Sequence, residues 1–317
     1  MRIIFAGTPD VALPSLRRLY EDGHDVCGVL TRAPARVGRK KTLSPSPVHK
    51  EAEELGIPVF TPHTLKDDKI QTDIRELQPD AIAVVAYGLL VPPALLDVPP
   101  HGWLNLHFSL LPSWRGAAPV QHAIAAGDDI TGACVFRLEK GLDTGPIIGT
   151  MTTPINPDDT SGTLLSSLSV SGAELLSRCF TLLEKGEGKF CPQEGDVSYA
   201  PSITTNDARI DWFLPSFAIE RHIRAHTPSP SAWTTYDGQR VKIEPVLVHD
   251  SIPEKHDIHL LPGHIMATNK HVYVGTGNGI IELQHVIPAG KKRMLATDWA
   301  RGARLTSSAS FEQGNNA

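Results

Sequence analysis

Four short apolar runs in the first third of the chain constrain its fold more than any other feature. RIIFAG (Arg2 to Gly7), DVCGVLT (Asp25 to Thr31), AIAVVAYG (Ala81 to Gly88) and GWLNLHFS (Gly102 to Ser109) are short enough to read as strands. Helix-like spacing fills Pro14 to His24 and ends at Gly23. Strands that are apolar without interruption have both faces covered. The rhythm therefore predicts an α/β, Rossmann-like domain: a mostly parallel sheet with helices on both faces. Ligands of such sheets sit beyond the C-terminal strand ends, and Asn105 and His107 lie near one of those ends.

A chain of 317 residues suits about two domains. A helical pattern spans Ser161 to Glu187, and periodicity then dissolves in GKFCPQEGDVSYAPSIT. Further on, SAWTTYDGQRVKIEPVLV and HVYVGTGNGIIELQHVIPAGKK alternate, with turns at Asp237-Gly238 and Gly277-Asn278-Gly279. Short strands with tight turns predict a small β-barrel or sandwich. The expected division is an α/β domain over 1–188, a linker over 189–205 and a β-rich domain over 206–317.

The formal net charge of −5 excludes a generic polyanion binder, so any nucleic-acid contact must come from a local basic patch. One candidate is the segment 32–48. Arg32, Arg36, Arg39, Lys40 and Lys41 stand there without an acid, among Pro34, Pro45, Pro47 and Gly38. Such a stretch buries little apolar surface and is expected to be a mobile basic loop. It is either solvated surface or a clamp for phosphates, and its single sign of charge favours the clamp. The opening MRIIFAGTPD reads as a strand rather than a leader, and no apolar run reaches the ~18 residues of a membrane span. The four cysteines are scattered without metal spacing, three of them among apolar neighbours, as in a reduced cytoplasmic protein.

Residues two apart in a strand face the same side, so Asn105 and His107 project together. An amide and an imidazole aimed at one point can hold a developing oxyanion. Taken alone, the pair is better read as a satisfied core histidine and a turn asparagine. Asp143 lies between Gly141 and Gly145 in LEKGLDTGPII. A carboxylate there can orient and charge an imidazole or order a water, and it can equally bond only its own turn. The combination of all three shifts the balance toward chemistry. The first turn, AGTPD, lacks the spacing of a dinucleotide site, and no Walker sequence, Cys/His cluster or nucleophile elbow occurs.

Asn105-x-His107, SLLPSWRGAAPVQHAI and GLDTGP, with Asp143 36 positions beyond His107, together resemble the formyltransferases that use 10-formyltetrahydrofolate. The likeness extends through RIIFAGTPD, GRKKTLSPSPV, DTSGTL, ARIDW, IRAHTPSPSAW and PAGKK, nearly the whole chain, and resembles the branch whose acceptor is methionyl-initiator tRNA. The resemblance implies a catalytic trio of Asn105, His107 and Asp143, with Asp143 keeping His107 protonated. It implies a folate-holding loop at Ser109, Leu110, Leu111 and Pro112, with the pterin near AVVAYGLLVP. Arg39, Lys40 and Lys41 match the family's loop that grips the acceptor stem; by charge Arg36 joins them, as do Lys291, Lys292 and Arg293 of an OB-like C-terminal barrel that contacts tRNA, the last three being equally readable as a solvated hairpin tip. No metal is implied, and a cytoplasmic monomer is expected. Lys40 stands where the family commonly has Gly, and Phe108 where a small residue is usual. Rival readings keep the chemistry with a sugar nucleotide, glycinamide ribonucleotide or water as acceptor, or keep only RNA binding.

Overall fold

The computed structural model describes residues 1–37, 42–252 and 259–312. The chain divides into two compact units. One comprises Met1–Pro119, Ile130–Pro154 and Leu165–Ala200, and the other Val120–Asp129, Ile155–Leu164 and Pro201–Ala317. The first unit thus holds residues 189–200 of the 189–205 stretch expected to act as a connector, and the second holds the rest.

The apolar runs become the sheet of the first unit. Its strands are β1 (Arg2–Gly7), β2 (Asp25–Leu30), β3 (Val59–Phe60), β4 (Ala81–Val85), β5 (Trp103–His107), β6 (Ile130–Arg137) and β7 (Ile147–Pro154), in the order β7-β6-β5-β4-β1-β2-β3. The five strands from β3 to β5 pair in parallel. Strands β6 and β7 complete the sheet in antiparallel fashion, so the mostly parallel sheet expected from the sequence is present. Helices cover both faces. Ile70 and Ile74 of α3 (Asp68–Glu76) share a core with Ile4, Ala6, Ile82, Val84 and the fully buried Trp103. On the opposite face, Gly172 of α4 (Ser161–Glu184) approaches Leu106 so closely that an added Cβ would lie 3.1 Å from its side chain. Among the described residues, no helix is long and apolar enough to cross a membrane.

The basic segment 32–48 departs from the irregular loop expected of it. Ala35–Val37 and Thr42–Ser44 pair as a short antiparallel hairpin, and α2 (Pro47–Glu54) starts inside the segment. The physical reason is a cap. Ser46 Oγ accepts the His49 N–H at 3.0 Å, and Pro47 occupies the first helical position, where its missing N–H costs nothing. Arg39, Lys40 and Lys41 lie outside the described residues.

The second unit holds two four-stranded antiparallel sheets around one core. The first has the order β8 (Trp233–Tyr236), β9 (Gln239–Ile243), β14 (His285–Pro288), β15 (Met294–Leu295). The second has β10 (Leu247–His249), β13 (Ile280–Glu282), β12 (Val272–Gly275), β11 (Ile265–Ala267). The chain passes from one sheet to the other between β9 and β10 and again between β13 and β14. The far edges are joined by Ala309–Glu312: Ala309 accepts the Ile265 N–H at 2.8 Å, and the Glu312 N–H donates to Thr235 O at 2.9 Å. The result is a small barrel, as expected. Its core stacks Phe311 between Trp212 and Trp299, with ring centroids 5.2 and 5.6 Å apart. The Asp237-Gly238 turn has φ of 49° and 67°, the left-handed pair that a two-residue hairpin demands.

Helix α5 (Ser216–Ala225) and the residue after it bring His222 and His226 together, with ring centroids 4.2 Å apart. Burial, reinforced by the neighbouring His226, pushes the His222 imidazole down to about 4. The unfolded chain, with an ordinary histidine near pH 6.5, therefore binds more protons between about pH 4 and 6.5. Stability must rise with pH through that window. We expect Tm to fall as the pH is lowered across it, and His222→Gln to flatten the fall; an unchanged slope in the variant would contradict the assignment.

Candidate active site

Strand β5 sets the site by alternation. Leu106 faces α4, so Asn105 and His107 project from the other face of the sheet. Asn105 is in register with Val84 of β4 and Phe136 of β6, near the C-terminal end of the parallel strands. Its carboxamide takes no hydrogen-bond partner from the described residues. His107, in contrast, is only 5% exposed, and the edge of its ring meets the Phe136 ring.

The irregular loop after β5 holds that imidazole. His107 Nε2 lies 2.9 Å from Trp114 O; a carbonyl only accepts, so the ring proton sits on Nε2. Nδ1 is the other nitrogen, 3.8 Å from Asp143 Oδ2. The same carboxylate oxygen accepts the Gly116 N–H at 2.8 Å. Structure thus brings His107 and Asp143 together across 36 positions of sequence, and Asn105 stands two residues away on the shared face of β5. Two glycines permit this geometry. Gly116 has φ 127° with Ala200 O 2.5 Å from where a Cβ would be, and a Cβ on Gly145 would collide with Arg137 O. Asp143 itself takes φ 50°, in the left-handed region.

Electrostatics bears on the role expected of Asp143. Burial pushes the His107 imidazole below the ordinary histidine range, and it outweighs Asp143 and the Trp114 carbonyl, which act the other way. The free ring therefore favours its neutral form more than an ordinary histidine does. The carboxylate alone does not keep it charged.

Of the loop residues expected to hold folate, Ser109, Leu111 and Pro112 are buried within the protein. The Ser109 hydroxyl donates to Ser113 O at 2.6 Å, and Leu111 packs with Cys134 and Phe136. Leu110 is half-buried. The neighbouring segment after β4 is more open: Ala86 and Gly88 have positive φ, and Leu90 is 90% exposed. Arg36 is exposed on the short hairpin. Lys291 and Lys292 are exposed at the turn after β14, whereas Arg293 is paired with Glu244 at 2.6 Å.

Sequence reasoning missed what supports the carboxylate from behind. Arg115–Gly116 pairs with Tyr199–Ala200, and the Trp114 N–H donates to Ser198 Oγ at 2.9 Å. Gln193 bonds the backbone of the Asp143 turn. Its amide donates to main-chain carbonyls, which leave no trace in residue type or spacing.

Comparison with known proteins matches the same architecture. The formyl transferase family matches residues 1–180, and the formyl transferase C-terminal domain matches residues 202–304. The methionyl-tRNA formyltransferase of Arthrobacter sp. strain FB24 is 55% identical over 313 residues, covering 98% of this chain and 100% of that protein. That of Paenarthrobacter aurescens strain TC1 is 53% identical over 312 residues, with 98% and 100% covered. A solved N-formyltransferase from Helicobacter canadensis, in complex with folinic acid and dTDP-3-aminofucose, superposes with a TM-score of 0.68 at 18% identity, covering 92% of this chain and 99% of that one. That last likeness is one of fold. By its near-full-length identity with curated members, the chain belongs to the formyl transferase family, among the methionyl-tRNA formyltransferases.

Proposed function

We propose that this chain transfers the formyl group of 10-formyltetrahydrofolate to the amino group of methionyl-initiator tRNA, acting as a cytoplasmic monomer. The observation that carries the acceptor is identity above 50% with methionyl-tRNA formyltransferases over their whole length. The fold likeness to a sugar N-formyltransferase carries only the architecture.

Asn105, His107 and Asp143 are the residues we assign to the reaction. The amine nitrogen attacks the formyl carbon, negative charge develops on the formyl oxygen, and the bond to the folate nitrogen breaks. The Asn105 carboxamide, without a protein partner among the described residues, donates to that oxygen. His107 starts neutral, its Nε2–H engaged by Trp114 O, so Nδ1 is its available base. It takes the proton that the amine loses. Asp143, 3.8 Å away, stabilises the imidazolium as it forms, and the proton then passes to the departing folate nitrogen. The apolar segment 86–92 beyond β4, with Leu90 open to solvent, suits the flat pterin of the donor. From the loop after β5, the half-buried Leu110 and the backbone are what remain to meet it, since the Ser109 hydroxyl and Leu111 are engaged within the protein. Arg36, Arg39, Lys40, Lys41, Lys291 and Lys292 are assigned to phosphates of the tRNA.

Formyl transfer measured with methionyl-initiator tRNA, and separately with an amino-sugar nucleotide, tests the acceptor; transfer to the sugar alone would refute it. His107→Ala should lower kcat by about 10²–10⁴-fold while leaving tRNA affinity nearly unchanged, and undiminished turnover would remove His107 from the mechanism. Because the base form of His107 is required and burial holds its imidazole below the ordinary histidine value, kcat at saturation should rise with pH with a midpoint below about 6.5 and show no descending limb before about pH 8. A descending limb there would mean that the imidazolium is the working form. Lys291→Ala with Lys292→Ala should weaken tRNA binding and lower the slope of log affinity against log salt by up to about 2. An unaltered slope would make that turn bystander surface.

A further inference from the structure

Gln193 lies in a stretch that the sequence reads as a connector, yet its carboxamide is fully engaged beside the carboxylate assigned above. Nε2 donates to Asp143 O at 2.7 Å and to Gly145 O at 2.9 Å. Oε1 accepts from Arg115 Nη2 at 2.6 Å and Nε at 3.2 Å. Arg115 follows Trp114, whose carbonyl holds His107 Nε2, and precedes Gly116, whose N–H holds Asp143 Oδ2. These contacts close a ring: His107, Trp114, Arg115, Gln193, Asp143 and back to His107. All of its members belong to the first unit.

We infer that Gln193 is a positioning residue for formyl transfer, fixing the Asp143 carboxylate against the His107 imidazole by stapling the Asp143 turn to Arg115. The inference rests on the reading of His107 and Asp143 as the reacting pair. Three features carry it. First, Asp143 holds a left-handed backbone at φ 50°, a conformation that needs support from its surroundings. Second, the amide meets the turn through both donor hydrogens at two carbonyls, so it fixes the orientation of the turn as well as its position. Third, the charged guanidinium on Oε1 polarises the amide and strengthens both N–H donors. A 3.8 Å separation between Asp143 and His107 is easily lost by a small rotation of that turn.

Two variants test the role. Gln193→Met keeps the length and removes every hydrogen bond. Gln193→Glu keeps the acceptor for Arg115 but cannot donate to the two carbonyls. The expected result for both is folded protein with Tm lowered by several degrees, and tRNA affinity and KM for either substrate within about threefold. Meanwhile kcat falls by about tenfold to a hundredfold, the scale of a misplaced reacting group. His107→Ala is measured alongside. If it loses turnover while both Gln193 variants keep the parent kcat, the positioning role is overturned and the reacting pair stands. If His107→Ala itself turns over normally, the pair falls and the inference with it. A loss confined to KM or tRNA affinity, or failure of both Gln193 variants to fold, would also overturn it by making Gln193 a binding or purely structural residue.

Discussion

Almost everything at the site follows from burying one imidazole. A ring as enclosed as His107 must have its N–H satisfied, because an orphaned donor costs about 1–3 kcal/mol. The Trp114 carbonyl meets that need, and to do so the chain after β5 must turn back on the strand it has just left. Regular structure cannot do this. The sequence Pro112, Ser113, Trp114, Arg115, Gly116 supplies the departures, with Trp114 and Gly116 both at positive φ. Once Nε2 is fixed, the tautomer is fixed, and Nδ1 is turned toward Asp143. The irregular loop after β5 sets the tautomer of the ring.

Burial also sets the proton inventory. A carboxylate close by favours imidazolium, and low dielectric disfavours it; at His107 the second effect is the larger. A resting imidazolium would have no lone pair to offer an attacking amine. A neutral ring does, and the nearby carboxylate then lowers the energy of the charged ring only when the proton arrives. In the reaction proposed above, burial disfavours the charged ring at rest and the carboxylate would favour it as the proton arrives.

What the sequence revealed, and what it concealed, divides along physical lines. Strands β1, β2, β4 and β5 were legible because both faces are buried, which forces unbroken apolar runs. The two-residue β3 has no such signature, and only its neighbour β2 gives it meaning. The hairpin and helix inside 32–48 were hidden because charge and proline dominate its composition, while its order comes from backbone pairing and one serine cap. Asn105 and His107 showed themselves as polar residues in an apolar strand, and Asp143 as an acid between glycines. Gln193 could not, since nothing distinguishes a glutamine that bonds distant carbonyls from one on a solvated surface.

Asp143 shows how strain and function are joined here. A left-handed backbone costs an aspartate roughly 1–2 kcal/mol, and glycine at that position would remove the cost along with the carboxylate. The turn nonetheless carries flanking glycines, where close packing leaves no room for a Cβ at Gly145, and the strained position holds the carboxylate that faces His107. The offsetting contacts are countable: the Gly116 N–H on the carboxylate and the Gln193 amide on two carbonyls of the turn. With about 0.5–1.5 kcal/mol net from each hydrogen bond, three such bonds cover the strain. The conformation therefore persists without any contribution from bound substrate, and the carboxylate is in place beside His107 before a substrate arrives.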